Sequence, residues 1–281
     1  MDFLCKSKVH YGLEAHHALS AMLVEEAGFE LIWASGLTIS SALGHRDCNE
    51  ISWTNFCDQL EYMADHTTIP ILADGDTGFG NFNNVRMLIK KLEKINIQGV
   101  ALEDKIFPKT NSFIEANQFL ASIKEFQGKI RSAKDTQKKS SFKVIARTEA
   151  FIAGLGLEAA LERAYAYEEA GADGIIVHSK KSTIEEIELF SKSWKGKAPL
   201  VVIPTKYPHT PKEKYAELGI TLVIFANHLL RASMKSMKET ARKIFEEKSV
   251  GSIEKEIASL DDIFTLVDED ELRIAEKKYL S

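Results

Sequence analysis

The sequence contains few cysteines, and they are far apart. Cys5, Cys48 and Cys57 form no CxxC pair. Zinc sites and disulfide frameworks both require cysteines at short, regular spacings, so the sequence supports neither. We therefore expect a reduced protein of the cytoplasm.

Long apolar runs and an excess of positive charge are also missing. No segment is long and apolar enough to span a bilayer. The first residues, 1–6, show no apolar stretch behind a basic start, which predicts no secretory signal. The formal net charge of -5 argues against general binding to nucleic acid or to a membrane surface.

No GxGxxG motif follows the first apolar run, which disfavours a dinucleotide-binding open sheet. The chain instead alternates short apolar runs with stretches of helical periodicity, such as 83–95, 157–170 and 184–194. Eight alternating units predict an α/β protein, a closed (β/α)8 barrel of the TIM type, with a doubly wound open sheet as the alternative. The apolar runs predict strands at Val9–Glu14, Leu31–Ser35, Pro70–Asp74, Gly99–Glu103, Phe142–Thr148, Gly174–His178, Leu200–Thr205 and Thr221–Ala226.

The segments outside these units predict a flap and a tail. Residues 115–140 are rich in Lys, Gln and Ser and predict a flap, a helix and a surface loop. After the eighth strand we expect helices at 229–247, 253–260 and 269–279. Since no linker-like composition divides the chain, we predict a single barrel domain, 1–281, with 229–281 as its closing helical tail.

Chemically active side chains follow several predicted strands, at the ends where a barrel gathers its catalytic groups. Carboxylates, an arginine and a histidine would therefore meet in one ring. The segments concerned are Trp33-Ala34-Ser35-Gly36-Leu37, Asp74-Gly75-Asp76-Thr77-Gly78-Phe79-Gly80, Glu103-Asp104-Lys105, Arg147-Thr148-Glu149 and His178-Ser179-Lys180.

The carboxylates of this ring predict a metal site. Asp74 and Asp76 lie two residues apart in a glycine-rich segment, and oxygen ligands of this kind suit Mg²⁺. Glu103 and Asp47 would complete the site through water. The alternative is a glycine turn in which the aspartates accept hydrogen bonds from local amides.

Three further groups predict anion binding. The planar guanidinium of Arg147 suits a carboxylate or a phosphoryl group, with an ion pair to Glu149 as the alternative. His178 is either a satisfied core histidine or a ligand group, and its place beside Arg147 favours the second. The backbone N–H groups of Ser35–Leu37 would hold a carboxylate, unless the segment is an ordinary turn.

The run EDKIFPKTNS at 103–112 resembles the phosphoenolpyruvate mutase family of the isocitrate lyase superfamily. Further similar stretches are WASGLTISSALGHRD, DGDTGFGNFNN, ARTEAFIAGLG, GADGIIVHSKK, VIPTKY and FANHLLRAS, which cover most of residues 8–235. The resemblance implies a Mg²⁺-dependent enzyme acting on small molecules, phosphoenolpyruvate and phosphonopyruvate. It also implies a homo-oligomer, in which subunits exchange the last barrel helix within dimers and the dimers form a tetramer.

The resemblance also implies roles for individual residues. Asp74 would bind the metal directly, and Asp76, Glu103 and Asp47 would do so through water. For Asp47, a place beside the migrating group and a loop salt bridge with Arg46 are alternatives. The residues implied to contact the substrate are Trp33, Ser35, Gly36 and Leu37 at the pyruvyl end, and Lys109, Asn111, Ser112, Arg147 and His178 at the phosphoryl end.

The flap distinguishes the reactions of this superfamily. Isocitrate and methylisocitrate lyases carry a KKCGH-type motif whose cysteine handles a proton, whereas this chain reads Lys109-Thr110-Asn111-Ser112. Asn111 favours the mutase over phosphonopyruvate hydrolase, which carries a threonine there. The resemblance thus predicts intramolecular phosphoryl transfer in phosphonate biosynthesis. The alternatives, in order, are the hydrolase, a carbon–carbon lyase of 2-oxo or 2-hydroxy acids, and a scaffold without activity.

Overall fold

The barrel predicted from the alternating pattern is confirmed. The computed structural model describes residues 2–115 and 117–280. Within them, eight parallel strands pair in chain order and close into a barrel, because β8 also pairs with β1. The open-sheet alternative is therefore wrong. The strands are β1 His10–Ala15, β2 Leu31–Ala34, β3 Ile71–Asp74, β4 Gly99–Glu103, β5 Lys143–Thr148, β6 Gly174–Val177, β7 Leu200–Val202 and β8 Ile220–Phe225.

Helices follow the strands as the periodicity predicts, and the expected helices at 83–95, 157–170 and 184–194 correspond to α4, α6 and α7. The helices are α1 Ala18–Glu26, α2 Gly36–Ala42, α3 Trp53–His66, α4 Phe82–Lys94, α5 Ile123–Thr136, α6 Gly156–Glu169, α7 Glu185–Ser193, α8 Lys212–Glu217, α9 His228–Glu247, α10 Leu260–Leu266 and α11 Glu269–Tyr279. No helix among the described residues is long and apolar enough to cross a membrane.

The strands are buried on both faces, which explains why they read as continuous apolar runs. In β2, Leu31 and Trp33 belong to the hydrophobic cluster that fills the barrel. Their neighbours Ile32 and Ala34 belong to the cluster beneath the helices. Since side chains alternate between the faces of a strand, the barrel interior and the helix layer draw on alternate residues.

One predicted helix is wrong. Residues 253–260 were expected to be helical, but residues 251–256 form turns and the helix begins at Leu260. Ser259 accepts a hydrogen bond from the backbone of Asp262, whose side chain bonds back to the backbone of Ser259. This capping box fixes the start of α10 at a point that apolar periodicity does not reveal.

The chain divides into two compact units, Met1–Leu230 and Arg231–Ser281. The first contains the complete barrel. The second contains most of α9 together with α10 and α11. The predicted tail began at residue 229, close to this division. A single domain and an exchanged helix both remain predictions.

Candidate active site

A cavity of about 40 Å³ lies at the carboxyl ends of the barrel strands. The sequence pattern predicts a site at these ends, and most of the residues named for it lie around this cavity. Two of the predicted site residues do not line the cavity directly. Gly36 contacts Asp74, and Asp76 contacts Lys109. The other predicted residues line the cavity directly, and are Trp33, Ser35, Leu37, Asp47, Asp74, Glu103, Lys109, Asn111, Ser112, Arg147 and His178.

One wall of the cavity belongs to the segment after β4. We call residues 105–115 and 117–120 the flap. An isolated antiparallel bridge between Lys105 and Leu120 joins the two ends of the flap. Lys109 and Ser112 are buried on its inner side. The flap thus presents cationic and hydroxyl groups to the cavity.

Four carboxylates gather on one side, and we call Asp47, Asp74, Asp76 and Glu103 the acidic cluster. The ammonium of Lys109 lies 2.7 Å from Asp47 Oδ1 and 2.5 Å from Asp76 Oδ1. All four side chains are almost completely shielded from solvent. Arg147 Nη2 lies 3.4 Å from Glu103 Oε2, so two cations, Lys109 and Arg147, face the four carboxylates.

Asp47 does not form the salt bridge with Arg46 that was held open as an alternative. Arg46 pairs with Glu50 instead. Asp47 accepts a hydrogen bond from Asn111 Nδ2 at 2.7 Å in addition to its contact with Lys109. The loop residue is thereby fixed to the flap on the cavity wall.

The pKa values within the acidic cluster reflect this imbalance. Burial raises the pKa of Asp76 well above its usual range, against Lys109, and the neighbouring Asp74, Asp47 and Glu103 raise it further. Burial also raises the pKa of Glu103, against Arg147 and Lys109. Burial would lower the pKa of Lys109, but the carboxylates outweigh it and raise that pKa well above its usual range. Lys109 is therefore a permanent ammonium, and the cluster still favours additional positive charge.

The acidic cluster fits a hydrated hard cation. Glu103 Oε1 is buried and has no hydrogen-bond partner among the described residues. A Cβ added to Gly36 would lie 2.9 Å from Asp76 Oδ1 and 3.4 Å from Asp74 Oδ2, so both carboxylates approach the same point of the backbone. Carboxylate oxygens suit Mg²⁺, which usually keeps several waters.

Direct ligation by many side chains is not what the structure offers. Within residues 2–115 and 117–280, no three His, Cys, Asp or Glu side chains lie close enough to hold one bare ion. The predicted site does not require three such side chains, since Asp74 is its only direct protein ligand. Asp74 accepts the N–H of Gly36 at 3.2 Å and Asp76 accepts Asn49 Nδ2 at 2.8 Å. These partners come from other loops, so a purely local turn does not explain the two aspartates.

A second group of side chains surrounds Glu149, and we call Lys105, Ser112, Arg147, Glu149 and His178 the glutamate network. Glu149 Oε1 lies 2.5 Å from Arg147 Nε and 2.7 Å from His178 Nδ1. Glu149 Oε2 lies 2.5 Å from Ser112 Oγ and 3.3 Å from Lys105 Nζ. The Arg147–Glu149 ion pair is therefore present, while Arg147 still lines the cavity.

The glutamate network contains one carboxylate, Glu149, and two cationic side chains, Lys105 and Arg147. Burial alone would raise the pKa of Glu149, but Arg147 and His178 hold it well below its usual range. Burial lowers the pKa of His178, and Arg147 lowers it further. The Nδ1 of His178 lies 2.7 Å from Glu149 Oε1, which can only accept, and 2.7 Å from Arg147 Nη2, which can only donate. Its Nε2 is buried and without a partner among the described residues.

Two predicted substrate contacts are already engaged by the protein itself. The amide of Asn111 donates to Asp47 and accepts from Phe113 N at 2.9 Å. The N–H of Gly36 donates to Asp74, and Ser35 Oγ accepts from Thr38 N at 3.5 Å at the start of α2. The Ser35–Leu37 segment is thus a helix start that lies against a carboxylate.

Sequence reasoning missed the central place of Glu149 and any role for Asn49. Glu149 follows Arg147 by two residues, and alternation along a strand would have placed both on one face. Asn49 has a positive φ of 62° and bridges two segments, since its side chain accepts from Lys109 N at 2.8 Å and donates to Asp76. No motif marks Asn49. The structure adds Thr110, Phe113, Ile203, Thr205, Ala226 and Asn227 to the cavity lining.

Comparisons with known proteins agree with this geometry. A phosphoenolpyruvate phosphomutase of Tetrahymena pyriformis is 53% identical over 269 residues, which cover 95% of this chain and 90% of that protein. The crystal structure of a phosphoenolpyruvate phosphomutase from Streptomyces platensis subsp. rosaceus superposes with a TM-score of 0.97 at 39% identity, covering 99% of this chain and 97% of that one. A phosphonopyruvate hydrolase in complex with oxalate and Mg²⁺ superposes with a TM-score of 0.94 at 38% identity, covering 99% and 97%.

The family profile described as phosphoenolpyruvate phosphomutase matches residues 4–245, which is most of the chain. This match, together with the identity to the Tetrahymena protein, assigns the barrel and its cavity to one family. The chain belongs to the phosphoenolpyruvate phosphomutase family.

Proposed function

We propose that this chain interconverts phosphoenolpyruvate and phosphonopyruvate. The observation that carries the proposal is the opposition of charges within one small cavity. Asp74 and Glu103 of the acidic cluster and Arg147 and His178 of the glutamate network all line it, and the two groups meet where Arg147 Nη2 lies 3.4 Å from Glu103 Oε2. A substrate with a phosphoryl group at one end and a keto acid at the other matches both sides, the second through a cation.

The acidic cluster would hold Mg²⁺ through Asp74 directly and through Asp76, Glu103 and Asp47 by way of water. When bound, the cation supplies positive charge that stabilises the oxygens of the keto acid. The hydrolase complex with Mg²⁺ supports this proposal. Trp33 and Leu37, which line the cavity, would pack against the pyruvyl part.

The cationic side would hold the phosphoryl group during transfer. Phosphoryl transfer passes through a loose transition state, so catalysis depends on positioning and on charge stabilisation. Arg147 offers a planar set of donors, and Asn111 retains one amide hydrogen beyond its bond to Asp47. In the direction of phosphonopyruvate, the P–O bond breaks and a P–C bond forms at the methylene carbon. No other reactant is consumed.

Exclusion of water decides between transfer and hydrolysis. In hydrolysis the P–C bond of phosphonopyruvate breaks, water oxygen bonds to phosphorus, and the methylene carbon takes a proton to give pyruvate. The buried Lys109 and Ser112 form a wall that would keep water from the phosphoryl group. Hydrolysis remains the second candidate because the hydrolase superposes so closely on this chain.

A lyase that uses a cysteine finds less support. Cys5, Cys48 and Cys57 are free thiols, and the described cavity lining includes none of them. Burial raises the pKa of Cys57 to about 12, which disfavours its thiolate.

The setting of the enzyme is also part of the proposal. We infer action in phosphonate biosynthesis in a reducing cytoplasm, which the free cysteines support. We also infer a tetramer made of two dimers, in each of which the subunits exchange the last barrel helix. Large exposed apolar side chains in the second unit, such as Phe245, Ile274 and Tyr279, support association of this kind.

The test is ³¹P NMR of the purified protein with phosphonopyruvate and MgCl₂. A phosphoenolpyruvate signal that disappears with EDTA is the expected result. Inorganic phosphate together with pyruvate would replace the mutase by the hydrolase. An unchanged phosphonopyruvate signal would contradict both reactions.

A further inference from the structure

Glu149 connects two parts of the molecule through its two oxygens. One oxygen, Oε1, accepts from Arg147 Nε and lies 2.7 Å from His178 Nδ1, and both of these residues line the cavity. The other, Oε2, accepts from Ser112 of the flap and lies near Lys105 at the flap's base. The carboxylate is completely buried, so water does not replace either set of partners.

The hydroxyl of Ser112 has no capacity left in this arrangement. A serine hydroxyl has one hydrogen and two acceptor positions. The hydrogen goes to Glu149, and the oxygen accepts from Lys105 Nζ at 2.7 Å and Arg147 Nη2 at 3.1 Å. With its only hydrogen on Glu149, Ser112 acts here as a connection between flap and barrel.

Lys105 strengthens the same connection. Besides Ser112, its ammonium donates to the carbonyl of Thr110 at 2.6 Å. It is buried beside Glu149, where a charge without partners would be costly. With the flap over the cavity, its groups therefore provide hydrogen-bond partners for both Lys105 and Glu149 Oε2.

The backbone of Glu149 is fixed from behind. Its N–H donates to Asp104 Oδ1 at 2.8 Å. The other oxygen of Asp104 accepts from Tyr167 at 2.6 Å and Arg163 at 2.9 Å. With the backbone held, the remaining freedom of Glu149 is rotation of its carboxylate, and the two sets of donors determine that rotation.

We propose that Glu149 is a positioning residue that couples closure of the flap to the alignment of Arg147 and His178. Departure of Ser112 would leave Oε2 short of a donor, and the carboxylate would turn toward other partners. Arg147 and His178 would then lose the geometry imposed by Oε1. The phosphoryl-binding groups are thus aligned when water is excluded, and the kinetic part of this inference rests on the proposed function.

Glu149→Gln tests the coupling because an amide has one accepting end and one donating end. The accepting oxygen is expected to face Arg147, whose Nε lies 2.5 Å from Glu149 Oε1, so the NH₂ group faces Ser112 and Lys105 and cannot accept from them. We expect hydrogen exchange of flap peptides to increase about tenfold, as expected for loss of a charged hydrogen bond. We expect kcat to fall about 100-fold, with KM changing much less, because alignment rather than affinity is lost.

Asp173→Asn provides the matched control. Asp173 accepts from Val144 N at 2.7 Å and from Lys134 at 2.8 Å, at the opposite end of β5 from Glu149. The substitution Asp173→Asn removes a paired carboxylate next to the same strand and changes no residue that lines the cavity. Flap exchange and kcat should both match the wild type.

Ser112→Ala supplies a second route should Glu149→Gln fail to fold by circular dichroism. It removes the flap's donor and leaves both acceptors of Glu149 in place. Flap exchange should again rise, and the double variant should exchange no faster than the faster single variant, since both break one connection. Additive increases would contradict the coupling.

Unchanged flap exchange in a folded Glu149→Gln variant would overturn the proposal, even with a lower kcat, since Glu149 would then serve Arg147 and His178 alone. A rise in KM at constant kcat would overturn it as well. Hydrogen exchange is measured without substrate, so it tests the connection between Glu149 and the flap even if wild-type protein converts no phosphonopyruvate. That last outcome would refute the proposed function alone.

Discussion

Buried charges are compensated differently in the glutamate network and in the acidic cluster. In the glutamate network, Glu149 has a cation or hydroxyl on each oxygen, and its pKa is held well below the usual range. In the acidic cluster, Lys109 pairs with Asp47 and Asp76, Arg147 lies near Glu103, and the pKa of Asp76 and of Glu103 is raised. The carboxylate of the glutamate network has its partners within the protein, whereas the acidic cluster favours an added cation.

This difference shows where the protein relies on a ligand. A buried carboxylate with satisfied hydrogen bonds is a structural and positioning element. A group of buried carboxylates with raised pKa values is typical of a functional site. Substitutions in the acidic cluster should therefore reduce activity through loss of metal binding. Substitutions in the glutamate network should reduce activity through loss of side-chain alignment.

The largest effect is expected for Asp74→Ala. It removes the predicted direct ligand, so turnover of phosphonopyruvate should disappear together with any response to Mg²⁺. ³¹P NMR measures the turnover, and titration calorimetry measures the metal. The exposed Asp58 offers a control, since Asp58→Ala should behave like the wild type. Wild-type activity in Asp74→Ala would remove the metal assignment.

Glu103→Gln should have a smaller effect on the same side. Its Oε1 has no partner among the described residues, and we expect it to hold a metal-bound water. Loss of such an indirect contact should weaken Mg²⁺ binding about tenfold, and excess Mg²⁺ should restore most of the turnover. Calorimetry gives the affinity. Unaltered Mg²⁺ affinity would place Glu103 outside the metal site.

Asn111→Ala tests the contact between the flap and the acidic cluster. Its amide donates to Asp47, so the substitution removes a charged hydrogen bond from the flap and a proposed phosphoryl contact. We expect turnover to fall about tenfold with the fold retained, as judged by circular dichroism. A larger share of inorganic phosphate among the products would show that Asn111 also helps exclude water. Full turnover would contradict its assigned role.

The smallest effect concerns pH. Because burial raises the pKa values of Asp76 and Glu103, the ionised carboxylates that a divalent cation requires are disfavoured at low pH. Mg²⁺ affinity should therefore increase modestly with rising pH, by less than about tenfold per unit. Calorimetry in two buffers of different ionisation enthalpy counts the protons released on binding. An affinity independent of pH would indicate that the carboxylates are already ionised.

Much of this arrangement is predictable from the sequence because it depends on local patterns. The strands are buried on both faces, so Leu31–Ala34 and Val144–Ala146 stand out as apolar runs. The polar residue that follows each run must lie at the rim of a parallel barrel. The convergence of Asp74, Glu103 and Arg147 follows from that rule.

Other features depend on contacts that no local pattern encodes. Lys109 meets Asp47 across 62 residues of sequence, and this pairing depends on how two loops fold over the barrel. Glu149 was considered only as a partner of Arg147, because nothing in the sequence brings Ser112 and Lys105 to its other oxygen. Asn49 carries no motif at all. The shifted start of α10 shows the same limit, since the cap at Ser259 overrides apolar spacing.

The bridge made by Asn49 has a consequence for the residence time of ligands. Its side chain holds Lys109 N of the flap with one end and Asp76 with the other. Movement of the flap away from the cavity has to break at least one of these bonds together with those of Lys109. The dissociation rate of a tightly fitting inhibitor would then include the opening rate of the flap, and Asn49 is a position at which that rate can be adjusted without altering any residue that lines the cavity.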